Sequence, residues 1–177
     1  GWARAGVAIT AMAALPCAEA VAQDKAAALS DANIAAIVVG ANTIDAEYGR
    51  IAKEKSTNAE VRTFAETMIA THEAVNRQAG ELAAKLGLRP VDNETSKALA
   101  EEARQMRERL RGLSGRAFDR AYIDNEVAFH QKVLDAIDGV LIPGARNAEL
   151  KALLESVRPA IVGHLEHAKR LQATLGS

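Results

Sequence analysis

The feature that most constrains this chain is a spacing. In four long stretches apolar residues recur at intervals of three and four, which is the signature of one buried face of an α-helix. The first series is Ile34, Ile37, Ala41, Ile44, Tyr48 and Ile51, and the second is Val61, Ala65, Met68, His72, Val75, Ala79, Leu82 and Leu86. The third is Ile123, Glu126, His130, Val133 and Ile137, with Phe118, Tyr122 and Phe129 alongside. The fourth is Leu150, Leu154, Val157, Ile161, His164, Ala168, Leu171 and Leu175. Long helices with short connections between them predict an all-α, antiparallel four-helix bundle.

Local signals set the limits of each helix. Asp31 is a candidate N-cap for a helix that runs to about Lys55, and Ser56-Thr57-Asn58 interrupts the pattern with cap-forming residues. The second helix then runs from about Ala59 to Leu86 and stops at Gly87, and the short hairpin makes the two antiparallel neighbours. Pro90 forbids helix through Gly87 to Asn93. Glu94 to Arg111 reads as an additional, weaker helix before the third long one, its Glu and Arg residues forming a solvated face. Leu113-Ser114-Gly115 restarts the chain near Arg116, Gly139 is expected to end that helix, and Pro143-Gly144 leads into the last, from about Asn147 to Leu175. Pro159 inside this last helix should kink it.

Composition bears on organisation and partners. A chain of 177 residues, 49% hydrophobic and 25% charged with a net charge of −1, suits one domain with a sizeable core. With aromatics at 3% and no basic run, it lacks both the stacking platform and the electrostatic footprint of a nucleic-acid binder. Residues 1–22 read as a secretory signal: Arg4 from a basic start, an apolar run from Ala5 to Leu15, and Ala20-Val21-Ala22 as the small residues for cleavage. The sequence starts with Gly rather than Met, so a start further upstream is expected. The apolar run falls short of the roughly 20 residues that span a bilayer, and no transmembrane segment is expected in the mature chain. Residues 23–30 form a tether and 31–175 the helical domain, placed in the periplasm or secreted. Cys17 leaves with the signal, so the domain is held by packing without a disulfide. A lipid anchor at Cys17 is disfavoured by Pro16, where a small residue is wanted. The sequence points to no particular protein partner.

The histidines carry the chemistry. All 4 lie on or beside the buried stripes of three helices, although exposed positions abound. Glu126 and His130 are one turn apart on one face, where the pair can share an ion or the carboxylate can orient the ring. His164 and His167 form H-x-x-H, and Glu47 flanks the first helix's seam between Ile44 and Ile51. Counting about 1.5 Å per residue from each turn, these groups converge to within about two turns of one another. The candidate ligands are therefore Glu47, His72, Glu126, His130, His164 and His167. The competing reading makes each histidine a hydrogen-bonded core group and Glu47 an edge carboxylate paired to a base. No serine or cysteine nucleophile arrangement and no glycine-rich phosphate loop is present.

FDRAYIDNEVAFH at Phe118–His130, THE at Thr71–Glu73 and HLEHAKRL at His164–Leu171 resemble the exported ferritin-like proteins of the family called domain of unknown function 4142. The resemblance runs from Asp31 to Leu171. It implies a ferritin-like bundle exported to the periplasm or beyond, and no activity. Within the recurring F-D-x-x-Y of that family, Asp119 reads as favouring the start of its helix and Tyr122 as a packing residue whose hydroxyl bonds a neighbour. Ferritin-like di-iron sites take Glu from two helices and Glu-x-x-His from two others. Here Ile69 stands three before His72 and His164 three before His167, so the donors suit a single zinc, copper or iron ion better than a di-iron pair. The two functional readings are a metal-binding bundle and a non-enzymatic structural, interaction or stress-protective bundle without metal. Whether the former is an enzyme is left open by the residues.

Overall fold

The computed structural model describes residues 28–176, so the signal reading at 1–22 and most of the tether lie outside the described residues. Five helices of substantial length form the domain, with no strand among the described residues. They are α1 (Asp31–Lys55), α2 (Ala59–Leu86), α3 (Glu94–Gly112), α4 (Gly115–Ala136) and α5 (Ala148–Gly176). None of the described helices is long and apolar enough to cross a membrane.

The N-cap of α1 is Ser30, not Asp31. Ser30 and Asn33 form a reciprocal capping box. Asp31 is one residue inside the helix, and its carboxylate accepts the N–H groups of Arg146 at 2.8 Å and Asn147 at 3.0 Å. It thereby ties the entry of α5 to the entry of α1, a long-range role that local spacing does not reveal. Asn58 caps α2 by accepting from Glu60 and Val61, and Gly87 ends it at φ 64°, a left-handed conformation suited to glycine.

Gly139 does not stop α4. The chain passes instead through a π-helical turn, Ile137–Leu141, and one further α-turn, Ile142–Gly144. Pro143 has no N–H to give and its ring crowds the preceding turn of a regular helix. The wider turn, closed by the Ile142 N–H on the Ile137 carbonyl, admits it while keeping Ile137 and Leu141 buried.

The helices associate as two antiparallel hairpins. Between α1 and α2, Thr43 accepts from Asn76 at 3.0 Å, while Lys53 pairs with Glu66 at 3.3 Å. Between α4 with its π-helical turn and α5, Asp138 meets Arg158 at 2.6 Å and Asp124 accepts from Gln172 at 2.8 Å. In both pairs the partner number falls as the residue number rises, which defines the antiparallel sense. The hairpins meet through α1 with α4 and α2 with α5. α3 packs on α1 and α4, where Glu47 accepts from Arg107 at 2.7 Å and Glu102 from Lys132 at 2.5 Å.

Gly49 marks the closest approach in the first hairpin. A Cβ there would lie 2.9 Å from the Ala65 carbonyl oxygen and 2.9 Å from Cγ1 of Ile69. At Gly80, in mid-helix on α2, a Cβ meets nothing within 4 Å. Gly49→Ala is therefore expected to destabilise the domain by about 1–3 kcal/mol through overpacking. Gly80→Ala is expected to stabilise it by about 0.5–1 kcal/mol by removing backbone freedom from the unfolded chain. Urea midpoints of the two variants measure this difference of sign.

The core falls into two apolar clusters. One holds Phe64, Met68, Phe118, Tyr122, Ile123 and Leu171, and the other Ile34, Ile37, Val38, Ile137, Leu154 and Ile161. On the four long helices the residues between them include Asn42 and Asp45, His72, His130, and His164. A polar layer thus divides the core, and it contains the candidate site.

Candidate metal centre

Each long helix contributes to this layer. Asp45 on α1, His72 on α2, and Glu126 with His130 on α4 are buried, and His164 on α5 is half-buried. The ring centroids of His72 and His130 lie 5.6 Å apart, those of His72 and His164 5.3 Å, and those of His130 and His164 5.4 Å. One Asp45 oxygen, Oδ2, stands 3.4 Å from Nε2 of both His72 and His130. Candidate ligand atoms of His72, His130 and His164 lie within 4.8 Å of one another, as do those of Asp45, Glu126 and His130.

Outer partners fix two of the rings. The Asn42 amide donates Nδ2–H to the Val38 carbonyl at 2.8 Å, so its Oδ1 is an acceptor, and His72 Nδ1 meets that oxygen at 2.7 Å. His72 therefore carries its proton on Nδ1 and turns the Nε2 lone pair inward. His130 does the same through the Glu126 carbonyl, 3.0 Å from Nδ1, with a Glu126 carboxylate oxygen 3.5 Å away on that side. Nε2 of His72, Nε2 of His130, Nδ1 of His164 and both carboxylate oxygens of Asp45 and of Glu126 are buried without a hydrogen-bond partner among the described residues. Each such group costs about 1–3 kcal/mol, and native cores seldom leave several together.

Burial and neighbouring rings set the charge state. Desolvation, then the nearby His130 and His164, depress the pKa of His72 from 6.5 to about 3. Desolvation and His164 bring His130 to about 4 against its Glu126 hydrogen bond, and desolvation and His167 bring His164 to about 4. The imidazoles are neutral and fit to donate lone pairs at any ordinary pH. Burial raises Asp45 to about 8, and burial with the adjacent Asp45 raises Glu126 well above the carboxylate range. A cation in this layer would face three neutral nitrogens and would favour loss of the carboxyl protons. The donor set could hold a metal ion.

Of the six residues picked out by sequence, four are gathered here: His72, Glu126, His130 and His164. Glu47 is not, because its side chain is 39% exposed and held by Arg107 of α3. His167 is half-buried, one turn beyond His164, with its ring edge-on to Phe64 at a centroid distance of 5.1 Å. Asp45 takes the place that Glu47 was expected to fill. The sequence carried one signal for it: Asp45 is three residues after Asn42 and three before Tyr48, on a second apolar series running through Ile34, Val38, Ala41 and Ala52.

The F-D-x-x-Y residues also differ from expectation. Asp119 is buried and accepts the Ser56 hydroxyl at 2.5 Å, so it fastens the α1–α2 turn to α4 and does not serve the start of its own helix. Tyr122 stacks on Phe118 at 6.3 Å, but its hydroxyl has no hydrogen-bond partner among the described residues.

A family model described as domain of unknown function DUF4142 matches residues 16–171. The chain belongs to the DUF4142 family. No curated protein matches this DUF4142 chain. Among solved structures it is similar to the crystal structure of a Streptomyces coelicolor DUF305 protein, described as secreted, with a TM-score of 0.71 and 15% identity over 83% of this chain and 94% of that one. At that identity the likeness speaks for the helical fold alone.

Proposed function

We propose that this DUF4142 protein is an exported, ferritin-like four-helix bundle that holds one transition-metal ion between its two hairpins. His72, His130 and His164 supply nitrogens and Asp45 an oxygen, and Glu126 supports His130 from its Nδ1 side. The observation that carries this reading is the set of lone pairs aimed into one buried layer, two of them fixed by the Asn42 side chain and the Glu126 carbonyl. Three imidazoles and a carboxylate are ligands that zinc, copper and iron accept. Export is supported by the signal-like residues 1–22.

Metal-stripped protein titrated separately with zinc, copper and ferrous iron is expected to take up one ion per chain. The ion should be absent from a His130→Ala variant whose helical circular dichroism matches the parent. Failure of all three metals to bind stoichiometrically overturns the reading and leaves a bundle with polar core histidines.

A further inference from the structure

Beside the histidines lies a cavity of about 700 Å³, within the roughly 300–1,000 Å³ range of small-molecule sites. We propose that it receives one aliphatic chain ending in a carboxylate, the carboxylate on the ion and the chain extended toward Leu141 and Leu154. This rests on the metal reading above.

The cavity has a polar floor and an apolar shaft. Asp45, His72 and His130 line it, and on α1, α2 and α4 nearly all the other lining residues lie to one side of them. On α1 they run back to Ile37, and along α4 and the π-helical turn after it they run forward to Leu141. At 1.5 Å per residue these spans are about 12 and 16 Å, a shape longer than it is wide for a gap between paired helices. The shaft is aliphatic, with Val38, Val75, Val133, Ile137, Leu154 and Ile161 on its walls. The rings among the described lining residues, Phe129, His72 and His130, all lie at the polar floor, so a flat ring would find no stacking face along the shaft. Exposed Gln78, Glu94, Lys132 and Ser156 form its rim toward water.

Charge selects the head group. A divalent ion held by three neutral imidazoles and the Asp45 carboxylate retains one positive charge, which is costly beside largely aliphatic walls. A monoanionic carboxylate cancels it, an alcohol does not, and an ammonium head is repelled. Glu126 does not line the cavity, so the side of the ion facing the shaft is the side an incoming oxygen reaches.

The test uses the full chain loaded with zinc, after metal analysis has shown one ion per chain. Calorimetric titrations with decanoate, acetate and decanol are then compared. Each buried methylene is worth roughly a fourfold gain in affinity, so decanoate should bind once per chain and about a hundredfold or more tighter than acetate. Decanol, and decanoate added to metal-free protein, should both bind at least about tenfold more weakly than decanoate to the zinc form, a tenfold change being 1.36 kcal/mol. Val133→Phe and Ala136→Phe each narrow the shaft and should erase the preference for decanoate over acetate while leaving zinc stoichiometry intact. The two variants guard against one failing to fold. If zinc binds but decanoate is held no tighter than acetate, this inference is overturned and the metal reading stands. If none of zinc, copper and ferrous iron binds, both fall, and the metal analysis reveals that before any acid is added.

Discussion

His130→Ala is expected to weaken zinc binding by at least about a hundredfold, the upper end of what is lost with an outer-shell partner alone. His130 belongs to both groups of converging ligand atoms and has Asp45 on one side and Glu126 on the other, so no other side chain is as central. Asp45→Asn should cost a comparable factor by removing the anionic oxygen nearest to His72 and His130. Asn42→Ala leaves every ligand in place but frees the His72 ring to turn, and a loss of roughly 10- to 100-fold is expected. Glu47→Gln and His167→Ala should change zinc affinity less than about twofold, because Glu47 is engaged by Arg107 and His167 packs on Phe64. Competition with a chromophoric chelator ranks all five variants. Losses at Glu47 or His167 as large as at His130 would return the site to the arrangement suggested by spacing alone.

The contrast between Glu47 and Asp45 shows where sequence reasoning reaches and where it stops. The apolar series on α2, α4 and α5 each name a single buried face, and the histidines standing in those series at His72, His130 and His164 are found there. α1 is different, because α2, α3 and α4 all pack against it. Two adjoining stripes of α1 are buried, one through Ile44 and Ile51 and one through Val38, Asp45 and Ala52. A seam drawn through the first leaves Asp45 off the pattern and makes Glu47 its flank, while in space α3 occupies that flank and gives Glu47 an arginine. The helix limits at Lys55, Ala59 and Leu86 were legible because Ser56, Asn58 and Gly87 act on their own neighbours. The role of Asp31 was not, since its partners Arg146 and Asn147 lie across the fold. Passage of α4 through Gly139 depends likewise on how Pro143 is accommodated in a widened turn.

The metal-free protein is expected to be most stable near pH 6.5 and to lose stability as pH rises from there toward 8. Three histidines with ordinary pKa 6.5 are held at about 3, 4 and 4 in the folded chain. Between those values and 6.5 the unfolded chain binds three protons that the folded chain does not, so this contribution to stability falls as the solution is acidified. Asp45, raised from 3.8 to about 8, and Glu126, raised well above 4.5, act in the opposite sense. Over the same acid range the folded chain keeps two protons that the unfolded chain has lost, which leaves a net of one proton favouring higher pH. Above pH 6.5 the histidines are neutral in both states and only the carboxyls count. Each then removes about 1.4 kcal/mol per pH unit until it ionises in the folded state. Zinc should reverse the alkaline limb, because it needs Asp45 ionised and its binding gains as protons become scarce. Thermal midpoints from pH 5 to 8.5, with and without a saturating excess of zinc, should therefore diverge as pH increases. A metal-free midpoint that stays level or climbs between pH 6.5 and 8 would show that Asp45 and Glu126 enter the core as anions, and the neutral polar layer would have to be abandoned.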